Sequence, residues 1–264
     1  MTTASLRLGI HQPNYAPWLG YFAKMAAVDA FVFLNASQMP IGRSYVSRVQ
    51  VRNREGVEWM TVPVKRDEGQ PICSVQFADK GWPRKHLAKL RANYARCPFY
   101  RDVTEILRPV YEEPGDFLAP FNIRLIQAIA SYLGLTPCFH LESDLPEGGA
   151  STQRLIDIVR CLGGSTYVSG TGGTKYQDPH AFGACGIELE VASYSPIPYQ
   201  HIHGDFVPGL SVLDALFHLG PDTRRLLNYP AHLQGPSGDP PILAVRHEES
   251  LVQNLTRCPD SPSN

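Results

Sequence analysis

Several features are scarce in this chain of 264 residues. No apolar run reaches the roughly 18 residues of a membrane-crossing helix. Neither charge dominates: 24 Lys and Arg stand against 25 Asp and Glu, a formal net charge of −1. That excludes a general basic field for nucleic acid, although a local basic face remains compatible with it. The six cysteines contain no CxxC pair, so no zinc ribbon or thioredoxin-type motif is present, and free thiols in a reducing compartment are expected. Cys97 follows Arg96, a neighbour that favours thiolate, and is a minor nucleophile candidate. Met1 to Ser5 has neither the charged nor the apolar region of a secretory signal, so a cytoplasmic location is expected.

What the chain does have is a dense opening. Leu6 to Ile10 is an apolar run, followed by His11-Gln12-Pro13-Asn14-Tyr15-Ala16-Pro17-Trp18. Phe22 to Val28 reads as a helix and Ala30 to Leu34 as a buried strand, which makes a βαβ unit. Ligands in open α/β sheets lie beyond the carboxyl ends of the strands, where His11, Gln12 and Asn14 would stand. The imidazole can donate, accept or carry charge, and the two amides can orient a carbonyl. Tyr15 and Tyr21 could wall the site.

Ser44 to Arg52 and Val57 to Val64 flank Asn53-Arg54-Glu55-Gly56, which predicts a β-hairpin. It groups Arg43, Arg48, Arg52 and Arg54, suited to a phosphate or carboxylate as well as to plain solvation. Ile72 to Phe77 is expected as a short strand. Helical spacing over Trp82–Ala95, Val103–Tyr111 and Phe117–Leu133 predicts a helical insertion at about 80–135. A further helix follows a Ser151 cap. The strand Thr166 to Val168 then runs into Ser169-Gly170-Thr171-Gly172-Gly173-Thr174, whose amides could hold an anion. This loop is neither a Walker A loop nor GxGxxG. Ser211 and Asp214 fit a capping box on the last helix. His201 and His203 form an HxH, but with no third ligand in view no metal is expected. The domain is placed at 1–229, and the Pro/Ser/Gly-rich 230–264 is expected to be a mobile tail.

Together these residues resemble the WbqC-like family of bacterial proteins. The match runs from Ile10-His11-Gln12-Pro13-Asn14-Tyr15 through Pro17-Trp18-Leu19-Gly20-Tyr21-Phe22, Gln38, Arg48, Trp82…Lys85-His86, Tyr167-Val168-Ser169-Gly170, Tyr176 and Leu210-Ser211-Val212-Leu213-Asp214. It departs at Asn35, where the family shows an acid, and at Ser47. The resemblance implies a role among O-antigen or other biosynthetic genes and a suggested aminoacyl transfer. It adds His86 as a second acid/base candidate, and Gln38 and Tyr176 as substrate-binding candidates. The opening also resembles, more remotely, the first unit of HIGH-type nucleotidyltransferases and pantothenate synthetase, with His11 and Asp29 in the corresponding places.

The expectation is a Rossmann-like, HIGH-type parallel α/β sheet with a hairpin excursion. The expected activity is acyl or aminoacyl transfer to an amine, on a nucleotide-linked amino sugar or small metabolite. His11 and His86 are the catalytic candidates. Gln12, Asn14, Tyr15, Tyr21, Gln38, Arg48, Ser169, Gly170 and Tyr176 are expected to bind substrate. No tightly held cofactor is expected; ATP with Mg belongs to an alternative, carboxylate-activating reading. A non-catalytic nucleotide-sugar-binding protein is a third reading. Aminoacyl-tRNA is a candidate donor, for which Arg84, Lys85, Lys89, Arg91 and Arg96 could supply basic charge. The oligomeric state is not specified.

Overall fold

In the computed structural model, the opening apolar run forms the central strand of a sheet. The structure describes residues 5–42, 44–173 and 175–227; Arg43, Thr174 and the expected tail lie outside the described residues. In chain order the elements are β1 (Arg7–His11), α1 (Leu19–Ala26), β2 (Ala30–Phe33), β3 (Arg48–Arg52), β4 (Val57–Thr61), β5 (Val64–Lys65), β6 (Gln76–Phe77), α2 (Trp82–Tyr94), α3 (Tyr100–Glu112) and α4 (Leu118–Tyr132). They continue as β7 (Cys138–Leu141), α5 (Ser151–Cys161), β8 (Thr166–Gly170), α6 (Pro179–Ala184), β9 (Glu188–Ala192) and α7 (Val212–Leu219).

Five strands form one sheet in the order β7-β2-β1-β8-β9, with every neighbouring pair parallel. Its architecture is α/β and Rossmann-like. Period-two alternation explains the apolar runs. Phe31, Phe33 and Val168 enter the larger core with α1, α4 and α7, whereas Leu8, Ile10, Ala30, Val32 and Tyr167 enter a smaller one with α5 and α6. Strands covered on both faces have no polar face to show in the sequence.

The hairpin β3–β4 is antiparallel, with Arg48 opposite Thr61 and Arg52 opposite Val57. Helices α2 to α4 fill the span between β6 and β7. Two local expectations change. Ile72–Ser74 is a 3-10 turn, and only Gln76–Phe77 pairs as a strand. Ser151 is the first residue of α5 rather than its cap, and its hydroxyl donates to the Tyr176 carbonyl at 3.5 Å. The free-thiol expectation holds for Cys97, Cys138, Cys161 and Cys185, while Cys73 is disulfide-bonded. No helix among the described residues is long and apolar enough to cross a membrane.

Candidate active site at the β1–β8 switch point

The chain leaves β1 for β2 on one side, and the later strands β8 and β9 lie on the other. The switch point therefore falls between β1 and β8, where open α/β sheets form their ligand crevice. The loop 11–18 emerges from β1 and the Ser169-Gly170 loop from β8.

The first loop is clamped by distant parts of the chain. Fully buried Asn122 of α4 donates to the carbonyls of Pro13 and Val46, both at 2.8 Å. The Tyr15 amide donates to the Tyr45 carbonyl at 3.0 Å, and the Val212 amide to Pro17 at 2.9 Å. Ser211 Oγ donates to the Ala16 carbonyl at 2.7 Å. Ala16 is held at φ 40°, a left-handed conformation costing a non-glycine residue about 1–2 kcal/mol. The Trp18 ring packs over Gly20, and a Cβ there would push it aside.

His11 sits partly buried on this loop, its ring edge-on to Tyr21 with centroids 4.7 Å apart. Its Nδ1 lies 3.1 Å from the Gln12 carbonyl, an acceptor only, so Nδ1 carries the proton and Nε2 the lone pair. Burial, reinforced by the Lys24 charge, pushes its pKa down to about 3, and the ring is neutral at physiological pH. Tyr21 donates to the same Gln12 carbonyl at 3.2 Å, and Gln12 Nε2 donates to Ser37 Oγ at 3.2 Å. Asn14 is partly buried on the same loop. Across the switch point Ser169 is buried, Gly170 is partly exposed, and the Gly173 amide closes a turn onto the Gly170 carbonyl at 2.9 Å.

The other candidates are placed differently. Tyr15 is wholly buried; its hydroxyl lies 2.8 Å from His86 Nδ1 and 2.6 Å from the Tyr111 hydroxyl. His86 Nε2 lies 3.1 Å from the Thr61 carbonyl, so both its nitrogens have protein partners. Burial holds its pKa at about 4. These contacts make Tyr15 and His86 a bolt between the loop, the hairpin and α2–α3. Arg48 stacks 3.9 Å over the exposed Trp59 ring, and its Nε is buried with no hydrogen-bond partner. Gln38 is exposed and bridges the backbone of Pro71. The Tyr176 side chain is exposed, and its carbonyl accepts from Thr152 Oγ1 at 3.2 Å. On α2, Lys85 pairs with Asp79 and Lys89 with Glu58, while Arg84, Arg91 and Arg96 stay exposed.

A second cluster lies under α7. Asp214, fully buried, accepts from Tyr94 at 2.8 Å, Tyr199 at 2.6 Å and His201 Nε2 at 2.9 Å. Its side chain is thus engaged from other elements, which corrects the capping-box reading; the Ser211 hydroxyl alone caps α7. Burial by itself would raise this carboxyl, but the hydrogen bonds from His201 and Tyr199 hold it below the ordinary range. His201, Asp214 and His218 place one ligand atom each within 4.8 Å of one another and are the group among the described residues able to hold a metal. Both His201 nitrogens and both His218 nitrogens already have partners, so a metal would have to displace them. His203 leaves the HxH pair to meet the Asn93 carbonyl at 2.8 Å. Two of the three ligand-capable residues, Asp214 and His218, lie outside the HxH pair and stand one helical turn apart on α7. Cys97 is buried here, its thiol pushed up to about 12 by burial and the Asp214 charge, which argues against a nucleophilic role.

The fold and the first loop define an α/β protein with a polar, clamped loop at a sheet switch point. The WbqC-like protein family model matches residues 12–226, and the chain belongs to that family. It is 31% identical over 227 residues to the uncharacterized protein Rv1507c of Mycobacterium tuberculosis, covering 84% of this chain and 98% of that relative. No solved structure matches.

Proposed function

We propose that the chain is an acyl or aminoacyl transferase that forms an amide on an amine acceptor in a bacterial biosynthetic pathway. The observation that carries this is the neutral His11 at the end of β1, with its Nε2 lone pair unprotonated and its tautomer fixed by the Gln12 carbonyl. Such a ring is too weak a base to keep a proton at neutral pH. It suits accepting an N–H hydrogen bond from a neutral amine, which aims the amine lone pair at the acyl carbon. The C–N bond forms as the donor's thiol or ribose hydroxyl leaves, and the amine proton passes through Nε2 to that leaving group. Gln12 and Asn14 orient the acyl group.

The test is mass-spectrometric detection of amide product with acyl-CoA or aminoacyl-tRNA donors and amino-sugar nucleotides as acceptors. His11→Ala is expected to abolish turnover while its melting stays cooperative. Full turnover in a folded His11→Ala protein would overturn the assignment.

The parallel sheet, with polar loops on both sides of the switch point, also favours a second reading. It is a carboxylate-activating enzyme of the HIGH-type nucleotidyltransferase kind. Pyrophosphate released from ATP and Mg in the presence of a carboxylate would decide for it.

A further inference from the structure

The sheet parts at the switch point. β1 stays paired with β2 as far as His11–Phe33, and β8 with β9 as far as Gly170–Ala192, but the β1–β8 register stops at Gly9–Val168. The His11 carbonyl accepts from Leu34 on the β2 side, so alternation turns the Ile10 carbonyl toward β8. A continued ladder would bring the Gly170 amide to that carbonyl. The Lys24 ammonium takes the position instead, donating to Ile10 O at 2.8 Å.

Lys24 is only 3% exposed and reaches this point from α1. That carbonyl is its hydrogen-bond partner, the Phe31 ring lies 5.8 Å away, and no carboxylate among the described residues pairs with it. A buried cation is normally compensated by an anion. Here the open positions beside it are the Gly170 N–H direction, which no ladder bond to β1 takes up among the described residues, and the space next to Gly170, where an added Cβ would meet nothing within 4 Å. Partly exposed His11, Gln12 and Gly170 open this crevice to solvent.

We propose that the β1–β8 crevice binds an oxyanion of the substrate, a carboxylate or a phosphate, on the Lys24 ammonium and the Gly170 amide. This rests on the reading of that crevice as the substrate site and names the charge class of the substrate. The anion supplies the missing countercharge. It also offsets the Lys24 field on His11, the lesser of the two causes that depress the imidazole, burial being the larger.

The test is calorimetric titration of the full chain with sulfate as the tetrahedral anion and acetate as the carboxylate, in wild type and Lys24→Met. Wild type is expected to bind one of them, and which one binds separates the two sources. Lys24→Met is expected to weaken that binding about tenfold or more, the loss of a charge-assisted hydrogen bond. Sulfate keeps its charge across the neutral range, so its pH dependence reports the protein. Among the described residues, the titratable groups beside Lys24 are His11 from β1 and Tyr21 from α1. Phe31 of β2 is apolar, and the titratable Tyr167 of β8 faces the other core. Affinity is therefore expected to fall as pH rises through and above about 7, where Lys24 gives up its proton. As a readout independent of affinity, the His11 ring carbon resonances should move on anion addition in wild type and not in Lys24→Met. No binding by either anion, or binding unchanged in a folded Lys24→Met, would overturn the proposal. Anion binding on Lys24 without any detectable transfer would retain it and reject the transferase reading instead.

Discussion

Two buried charges in this molecule are treated in opposite ways. Asp214 is an anion with three donors, from Tyr94, Tyr199 and His201, gathered from α2 and the chain before α7. Lys24 is a cation with one carbonyl. Burial shifts each toward neutrality, but only Asp214 has enough partners to stay ionised, whereas Lys24 falls to about 7. A satisfied buried charge fixes structure, and an undersatisfied one stores binding capacity at a site. On the proposed reading the Asp214 cluster belongs to the framework and the Lys24 crevice to the chemistry.

The sharpest way to break this comparison is Asp214→Ala. It leaves the buried Tyr94 hydroxyl, the partly buried Tyr199 hydroxyl and an imidazole N–H without their acceptor, at a cost of about 3–5 kcal/mol. Urea unfolding measures it, and a change below about 0.5 kcal/mol would show that the cluster is not structural. Because the folded pKa of Asp214 is depressed, its contribution is present above the ordinary carboxylate range and lost as pH falls through the folded value. Asp214→Asn should therefore flatten the acid side of the stability profile.

Lys24 predicts the same sign of pH slope but the opposite effect of substitution. Its folded pKa, about 7, lies below the unfolded value of about 10.4, so the unfolded chain binds the extra proton between them. Wild-type stability should rise with pH across that window by on the order of a few kcal/mol. Lys24→Met should be the more stable protein at neutral pH and lack the rise. Equal pH profiles for the two proteins would mean that Lys24 is not held uncompensated.

The sequence made some of this legible and hid the rest. The β1–α1–β2 unit showed because its apolar runs have strand and helix periods, and the helices α2–α4 showed by their spacing. The candidate loop stood out by the density of His11, Gln12 and Asn14 around Pro13. Lys24 was missed although α1 carries a signal: Leu19 to Met25 are all buried, so the helix has no polar face for a lysine to occupy. Asp214 was misread because its distance from Ser211 mimics a local cap, while its real partner Tyr94 is 120 residues away. His86 is a candidate only through the family resemblance, and Tyr15 and Thr61 take both its nitrogens, which only tertiary packing could reveal.

The smallest expected effect concerns Cys97, which lies against the Asp214 cluster with its Sγ 3.6 Å from His218 Nε2. A thiol, an imidazole and a carboxylate in this proximity resemble a nucleophilic triad. The electrostatics run the other way: Asp214 is closer to satisfied than to needing a proton relay, and burial with its charge raises the thiol to about 12. A thiolate fraction this low at neutral pH makes attack negligible. Iodoacetamide should therefore label the exposed Cys138, Cys161 and Cys185 in the native protein and leave Cys97 unlabelled until urea unfolds it. Cys97→Ala should keep any transfer activity within about twofold, with a stability loss of about 1 kcal/mol from the small cavity. Rapid native alkylation of Cys97 with loss of activity would transfer the chemistry to the second cluster and reverse the roles assigned to the two buried charges.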